Sequence, residues 1–310
     1  MKLALVTGGA GFIGSHLVEG LLARGYAVRV LENFATGKRE NVAHLVDKIE
    51  LLEGDVRNLT TVRMAMRKVD VVFHEAALPS VERSVKNPLE SNEVNITGTL
   101  NVLLAARDAN VPRVVFAASS AAYGNSLTLP KEETMTPDPL SPYAVSKLAG
   151  EQYAKIFAQL YGLSTISLRY FNVFGPRQDP TTQYAGVIAK FITCALEGKP
   201  YPVFGDGEQS RDFTYVSNAV EANLLAAEAK IDGASLMNIA YGERASLNQI
   251  IEMLNELTHQ KLPAQYLPER AGDVRHSHAS VKRAQEVIGY APKVDLLEGL
   301  RRTLEWYRKQ

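Results

Sequence analysis

Tyr143 and Lys147 stand one helical turn apart in Ser141-Pro142-Tyr143-Ala144-Val145-Ser146-Lys147. Ser141 is suited to a helix N-cap, Pro142 to the first helical position and Gly162 to the close of the same helix. That helix sets a phenol and an ammonium on one face. An ammonium beside a phenol favours the phenolate and draws its pKa down from about 10. The chemistry is general acid–base work at a hydroxyl, with Tyr143 as proton carrier and Lys147 as its tuner and a ribose ligand. On its own the spacing is common on surface helices. Here it follows a strand that ends in Ser119-Ser120, and the chain opens on a nucleotide turn.

That turn is Thr7-Gly8-Gly9-Ala10-Gly11-Phe12-Ile13-Gly14, directly after the apolar run Leu3–Val6. Gly8 permits a tight turn, Gly11 lets the backbone approach a pyrophosphate, and Gly14 lets the next helix pack on the strand. The helix N-terminus then presents N–H groups and positive dipole to the anion. Glu32 closes the second strand. A carboxylate there accepts from the adenosine ribose hydroxyls and repels a 2′-phosphate, which favours NAD over NADP. Lys38 and Arg39 follow closely and are the cations a phosphate would use. A glycine turn in a cofactor-free protein is the bland alternative, and strand, helix and acid together outweigh it.

The elements needed to position these groups are legible. Leu3–Thr7, Ala27–Leu31, Ile49–Leu52, Val69–Phe73, Arg113–Ala118 and Thr165–Arg169 read as strands, several apolar on both faces as buried parallel strands are. Amphipathic stretches at Ile13–Arg24, Thr60–Lys68 and Ile96–Ala109 alternate with them. The alternation predicts an α/β fold, a Rossmann-type doubly wound parallel sheet. Past Asn172 loops open at Gly175-Pro176-Arg177 and Gly205-Asp206-Gly207. Helical patterns continue at Val216–Lys230, Leu247–His259, Val281–Ile288 and Leu296–Arg308, with Ser280 as N-cap and Gly289 as terminator of the third. Leu236–Ala240 reads as a strand returning to the first sheet. Two interleaved units follow: 1–172 with 214–242 for the dinucleotide, and a smaller α/β unit, 173–213 with 243–310, for substrate.

The chain has 310 residues, 46% of them hydrophobic, with 34 basic and 34 acidic side chains. A net charge of zero offers no nucleic-acid or anionic-membrane surface. No run reaches membrane-spanning length, and the first apolar run is too short for a signal segment. The single cysteine, Cys194, excludes an internal disulfide and suits a reducing, cytoplasmic setting; its apolar helical context suggests core. No metal-ligand cluster is evident.

Thr7–Gly14, Asn95, Ser119 with Tyr123-Gly124, and Tyr143/Lys147 together resemble the extended short-chain dehydrogenase/reductase family, essentially end to end. Gly54-Asp55-Val56-Arg57, His74-Glu75-Ala76-Ala77, Arg169 to Arg177, Arg211-Asp212-Phe213 and Arg270 to Ser277 are similar to its nucleotide-sugar enzymes. The resemblance implies that Asp55 and Val56 border the adenine and that Asn33 and Lys38 lie beside the adenosine. It implies that Ala76, Ala77, Asn95 and Tyr170 line the cofactor. Ser119 would bond the reacting sugar hydroxyl beside Tyr143, with Ser80, Ser84, Ser120 and Val187 near the sugar. Asn172 and Arg211 would hold the diphosphate, Asp273 and Arg275 would close over UDP, and Phe204 would lie near the uracil. Arginine forks and amide donors suit a diphosphate; each arginine alone could equally be a solvated salt bridge, and Phe204 could be core. His74 and His276 read as structural.

The residues between Ser119 and Tyr123 discriminate among reactions. Related 4,6-dehydratases carry an Asp-Glu pair where this chain has Ser120 and Ala121, and UDP-glucuronate decarboxylases a glutamate at Ala121. Their absence leaves 4-epimerisation through a 4-keto sugar. The small Ser277, where some relatives carry tyrosine, leaves room for an N-acetyl group, so UDP-GlcNAc/UDP-GalNAc and UDP-Glc/UDP-Gal are the expected substrates. UDP-glucuronate epimerisation or decarboxylation, and a non-catalytic NAD-binding regulator on the same fold, are the alternatives. The chain departs from the pattern at Glu32 (for Asp), Ala117 and Ala118 (for serines), Ala189 (for proline) and Ser280 (for Asp). The resemblance also implies a homodimer through Ile96–Ala109 and Ser146–Leu160, four helices in all, apolar on more than one face.

Overall fold

The computed structural model describes residues 1–180, 186–269 and 274–310. In chain order its elements are β1 (Leu3–Thr7), α1 (Phe12–Ala23), β2 (Ala27–Glu32), β3 (Ile49–Glu53), α2 (Leu59–Ala65), β4 (Val71–His74), α3 (Val81–Lys86) and α4 (Pro88–Asn92). Next come α5 (Gly98–Asp108), β5 (Arg113–Ser119), α6 (Pro142–Tyr161), β6 (Ser164–Tyr170), β7 (Val173–Phe174), α7 (Val187–Glu197) and β8 (Tyr201–Phe204). They are followed by β9 (Ser210–Arg211), β10 (Thr214–Tyr215), α8 (Val216–Glu228), β11 (Ala234–Ile239) and β12 (Ala245–Ser246). The chain ends through α9 (Leu247–Thr258), β13 (Ala264–Leu267), α10 (Lys282–Ile288) and α11 (Leu296–Tyr307).

Seven strands form one parallel sheet in the order β11-β6-β5-β4-β1-β2-β3. The order reverses beside β1, the arrangement that opens a crevice at the carboxyl ends of the strands. Burial on both faces explains why the strand sequences are continuous apolar runs. Val6, Val30, Leu17, Leu21, Ile166 and Leu224 pack on one face, beneath α1, α8 and α10. Leu5, Val72, Val62, Val102, Val114 and Phe157 pack on the other, beneath α2, α5 and α6. β11 does return to the sheet, pairing Ala234–Ile239 with Thr165–Tyr170.

A separate apolar cluster gathers Phe191, Tyr201, Phe213, Ile250, Leu254 and Leu300 from α7, β8, α9 and α11. It carries two-stranded pairs β8–β13, β7–β10 and β9–β12. Cys194 packs half-buried against it.

The helix signals act as read for α6. Ser141 Oγ accepts from the Ala144 N–H at 3.1 Å, Pro142 is the first residue, and Gly162 closes the helix at φ 69°. Gly289 likewise ends α10 at φ 67°. Ser280 is not the N-cap of α10: Val281 is, without a side-chain cap. Ser280 is drawn away by its own backbone, whose N–H donates to the Lys131 carbonyl and whose carbonyl accepts from Asn238. The helix expected from Ile96 begins at Gly98, after a wide turn at Glu93–Thr97.

Candidate active site

A cavity of about 1190 Å³ runs along the carboxyl ends of the sheet and under the α7–β8 region. One end is the glycine turn. Gly8 has φ 72°, and a Cβ there would lie 2.8 Å from the Ala76 backbone. A Cβ on Gly14 would lie 2.2 Å from the Gly8 carbonyl oxygen. Only glycine allows β1, α1 and the end of β4 to come this close. The N-cap of α1 is Gly11, which has no side chain with which to answer the first-turn N–H groups. Phe12, Ile13 and Gly14 line the cavity there, so an anion finds an open helix N-terminus. The cradle fits a dinucleotide pyrophosphate.

Glu32 is 6% exposed and lines the cavity. Its Oε2 accepts from the Ala10 N–H at 3.2 Å, and its Oε1 from Asn33 and Phe34 at 2.9 Å each. The acid thus ties the loop after β2 to the glycine turn and leaves an acceptor position toward the cavity. The longer glutamate reaches both segments at once. Asn33 lines the cavity while its Nδ2 donates to Asp55. Lys38 lines the cavity and pairs with Asp179 at 2.8 Å.

Asp55 is a residue set back from the cavity lining. The Arg57 guanidinium, ahead of all else, pulls its carboxyl down to about 2, with the Arg57 N–H and Asn33 adding to the effect. It braces the loop, and Val56 is the residue of the pair on the cavity wall. Asn95 is another. Its side chain accepts from the Leu78 N–H and donates to the Leu78 carbonyl and to Ser146 Oγ, so it holds the end of β4 against α6 from behind the wall. Ala76, Ala77 and Tyr170 line the cavity.

Ser119, Ser120, Tyr143 and Lys147 converge on one wall. Ser119 Oγ accepts from the Ala121 N–H at 3.2 Å, and its hydroxyl and the Tyr143 phenol line the same stretch of cavity. Burial pushes that phenol up and the Ser119 hydroxyl pulls it partly back. The expected lowering by Lys147 is not what the geometry produces. Lys147 Nζ donates to the Ala117 carbonyl at 2.7 Å and lies over the Phe116 ring. Burial lowers the ammonium, while Glu75 and Glu151 raise it. Ser84 is also set back from the lining. It is fully buried, donates to the Val81 carbonyl, and accepts the Tyr143 N–H at 3.0 Å. Its hydroxyl fixes the start of α6. Ser80 lines the cavity and caps α3 by accepting from the Arg83 N–H.

At the far end, Asn172, Val187, Phe204 and Arg211 line the cavity. Asn172 donates to the Asp212 carbonyl, and Arg211 Nη1 donates to the Ser210 and Arg275 carbonyls. Arg275 stands off the wall, 55% exposed at its side chain and paired with Asp206 at 2.7 Å. Ser277 is likewise outside the lining. Its N–H donates to the Ser210 carbonyl, which docks its segment beside Arg211. Asp273 lies outside the described residues.

His74 is structural. Its ring bridges Thr7 Oγ1 at 2.7 Å and Thr99 Oγ1 at 2.9 Å, and burial holds it neutral, down to about 3. His276 sits on Ser210 Oγ at 2.9 Å. Sequence reasoning gave Glu75 no task, yet it lines the cavity and accepts from Tyr170 at 2.7 Å. A lone acid at the end of a buried strand, next to a glycine turn, was the available signal. Among the described residues no cluster of metal-binding side chains occurs, and no helix is long and apolar enough to cross a membrane.

Fold and cavity define an α/β enzyme that uses a dinucleotide on a hydroxyl substrate. The model of the NAD dependent epimerase/dehydratase family matches residues 4–240, and the chain belongs to that family. Its cofactor is NAD. The UDP-glucose 4-epimerase of Mycolicibacterium smegmatis is 38% identical over 99% of this chain and 98% of its own. A UDP-N-acetylglucosamine 4-epimerase from Methanobrevibacter ruminantium, solved with UDP-N-acetylmuramic acid, superposes with a TM-score of 0.96 at 39% identity, covering 100% of this chain and 99% of that one. The Thermus thermophilus UDP-glucose 4-epimerase, solved with NAD, superposes at 0.91 and 40% identity over 99% of each chain.

Proposed function

We propose that Tyr143, Ser119 and Lys147 perform the 4-epimerisation of UDP-sugars, on UDP-GlcNAc/UDP-GalNAc and on UDP-Glc/UDP-Gal. The chain is an NAD-dependent isomerase of this class. The observation that carries the residue roles is that Ser119, Tyr143 and Lys147 all line the one cavity that begins at the glycine turn. No acid stands at Ser120 or Ala121, which leaves the wall equipped for proton transfer at a hydroxyl and not for loss of water.

NAD, when bound, supplies reversible hydride acceptance at the sugar C4. Tyr143 takes the proton of the sugar 4-hydroxyl, and Ser119 orients that hydroxyl and relays the proton. The 4-keto sugar would then turn within the pocket, so that C4 takes back the hydride on its opposite face while Tyr143 returns the proton to the 4-oxygen. Rotation requires that binding concentrate on the nucleotide, so Asn172, Arg211 and Phe204 hold UDP while the hexose stays loosely gripped. Gly8, Gly11, Gly14, Glu32 and Val56 hold the dinucleotide. Residues 1–172 with 214–242 serve the cofactor, and 173–213 with 243–310 serve the nucleotide sugar. The molecule works as a homodimer through α5 and α6, in the cytoplasm.

Tyr143→Phe tests the roles. NMR of product mixtures from UDP-Glc, UDP-GlcNAc and UDP-GlcA should show turnover reduced at least about 100-fold, the size of a general acid–base contribution. UDP-sugar binding, read by calorimetry, should be retained. Near-normal turnover by the variant would remove Tyr143 from the mechanism, and product from UDP-GlcA alone would change the substrate.

A further inference from the structure

The steps above leave Glu75 without work, although it faces the reacting end of the cavity. Glu75 follows the last residue of β4, and strand alternation turns it away from the Thr7–His74–Thr99 bridge and onto the cavity wall. Tyr170, at the end of β6, donates its hydroxyl to Glu75 Oε1 at 2.7 Å. Asn223 of α8 donates to the same hydroxyl at 2.6 Å. β5 lies between β4 and β6 in the sheet, so the carboxyl reaches across the end of β5. Ala117 and Ala118 of β5 line that wall, and the Ala117 carbonyl is the one that accepts from Lys147. His74 pairs with Phe116, so Glu75 falls in register beside Ala117, the residue whose carbonyl holds Lys147, and Glu75, Lys147 and Tyr170 all line the cavity there.

Lys147 is 5% exposed, and two carboxylates act on it, Glu75 and Glu151. Glu151 is held by both arms of Arg169, at 2.9 and 2.7 Å, in a pair whose side chains are 2–3% exposed. Its charge is already answered there. The Ala117 carbonyl offers Lys147 an acceptor and no charge. A buried ammonium without a counter-charge loses its proton.

We propose that Glu75, held by Tyr170 and Asn223, is a positioning residue: the buried counter-charge that keeps Lys147 an ammonium at the proton-transfer site. The proposal rests on the reading of this wall as the place where the sugar hydroxyl reacts. Other titratable groups face the pair from each neighbouring element. His74 of β4 is held neutral by burial, and burial pushes the phenols of Tyr143 on α6 and Tyr170 on β6 upward. Glu75 and Lys147 are thus the oppositely charged groups of this set. Burial drives Glu75 up and Lys147 down, each toward its uncharged form, and each restores the charge of the other.

Lysine labelled at Cε with carbon-13 lets NMR follow Lys147 in the holoenzyme, its signal assigned by loss in Lys147→Arg. Glu75→Gln keeps the size and an acceptor for Tyr170 while deleting the charge. The Lys147 midpoint should then fall by roughly one pH unit or more. The alkaline limb of kcat should move down with it, leaving the KM for UDP-sugar unchanged. An unmoved midpoint overturns the proposal. Should Glu75→Gln not give folded holoenzyme, Tyr170→Phe decides. It removes the donor that favours the Glu75 carboxylate, so the midpoint falls in the same direction by less, and no fall again overturns it. If the wild type epimerises no UDP-sugar, the functional reading fails, while the NMR midpoint still decides the role of Glu75.

Discussion

At the residue scale, the groups proposed for the chemistry were legible in the sequence, whereas Ser84 and Asn95 are set back from the cavity wall that they support. Tyr143, Lys147 and Ser119 announce themselves by type and spacing, because acid–base work needs those side chains one turn or one loop apart. Ser84 and Asn95 carry the same polar chemistry as a ligand contact. Their partners decide otherwise: Ser84 bonds the N–H of Tyr143, which lies 59 residues away, and Asn95 bonds both backbone groups of Leu78. Sequence shows a donor and hides what it donates to. Ser277 carries the prediction at this scale. Its N–H donates to the Ser210 carbonyl beside the cavity-lining Arg211, and the proposed function gives its small size a role in admitting the acetamido group. Ser277→Tyr should cut kcat/KM for UDP-GlcNAc about tenfold or more relative to UDP-Glc, in line with the ~1–3 kcal/mol that a mis-sized group costs in a pocket. Competition assays with both sugars give the ratio directly. An unchanged ratio would show that the acetamido group is accommodated elsewhere.

At the element scale, strands were read almost to their ends because a buried parallel sheet demands continuous apolar runs. Helix starts were less secure. Caps are decided by which backbone groups remain free, and Ser280 had its backbone recruited by Lys131 and Asn238. The wide turn at Glu93–Thr97 has no sequence mark, since it exists to aim Asn95 at Leu78 and Ser146. Two predictions test how elements are fixed to one another. Gly14→Ala forces a Cβ to within 2.2 Å of the Gly8 carbonyl unless α1 withdraws from β1. Overpacking of this kind costs about 1–3 kcal/mol or more, and the open helix N-terminus would shift with it. The purified variant should carry little NAD, seen as a lowered ratio of absorbance at 260 to 280 nm. Full NAD content would show that the turn has slack. Arg169→Ala tests the join between β6 and α6. It leaves Glu151 charged and 5% exposed with no partner at the old site, and it removes the guanidinium stacked 4.5 Å from the Tyr123 ring. Removing one member of a buried ion pair costs about 3–5 kcal/mol, which urea unfolding would report; a loss under about 1 kcal/mol would mean that water enters to replace Arg169.

At the scale of the whole molecule, the side that carries α5 and α6 is the one left unfinished. Tyr153, Ile156 and Leu160 follow one another at helical spacing on α6 and are 37%, 43% and 68% exposed. Val85 and Leu89, on the neighbouring α3 and α4, are 62% and 69% exposed, and Ile96, Leu100 and Leu104 continue the apolar row half-buried. Monomers seldom leave so continuous an apolar stripe in water, and a two-fold interface can bury it against itself. In the proposed dimer, pairing would support α6, the helix that carries Tyr143 and Lys147 at its first turns. Ile156→Glu with Leu160→Glu places two carboxylates in that stripe, on a stretch of α6 away from the cavity wall. Light scattering behind size exclusion should give the mass of two chains for the wild type and of one for the variant. The variant should keep its NAD, because the glycine cradle is untouched, while its melting temperature falls and that of the wild type rises with protein concentration, as mass action requires of a dimer that folds as one. A wild type that runs as a single chain at micromolar concentration, with a melting temperature indifferent to dilution, would leave the stripe to some other partner.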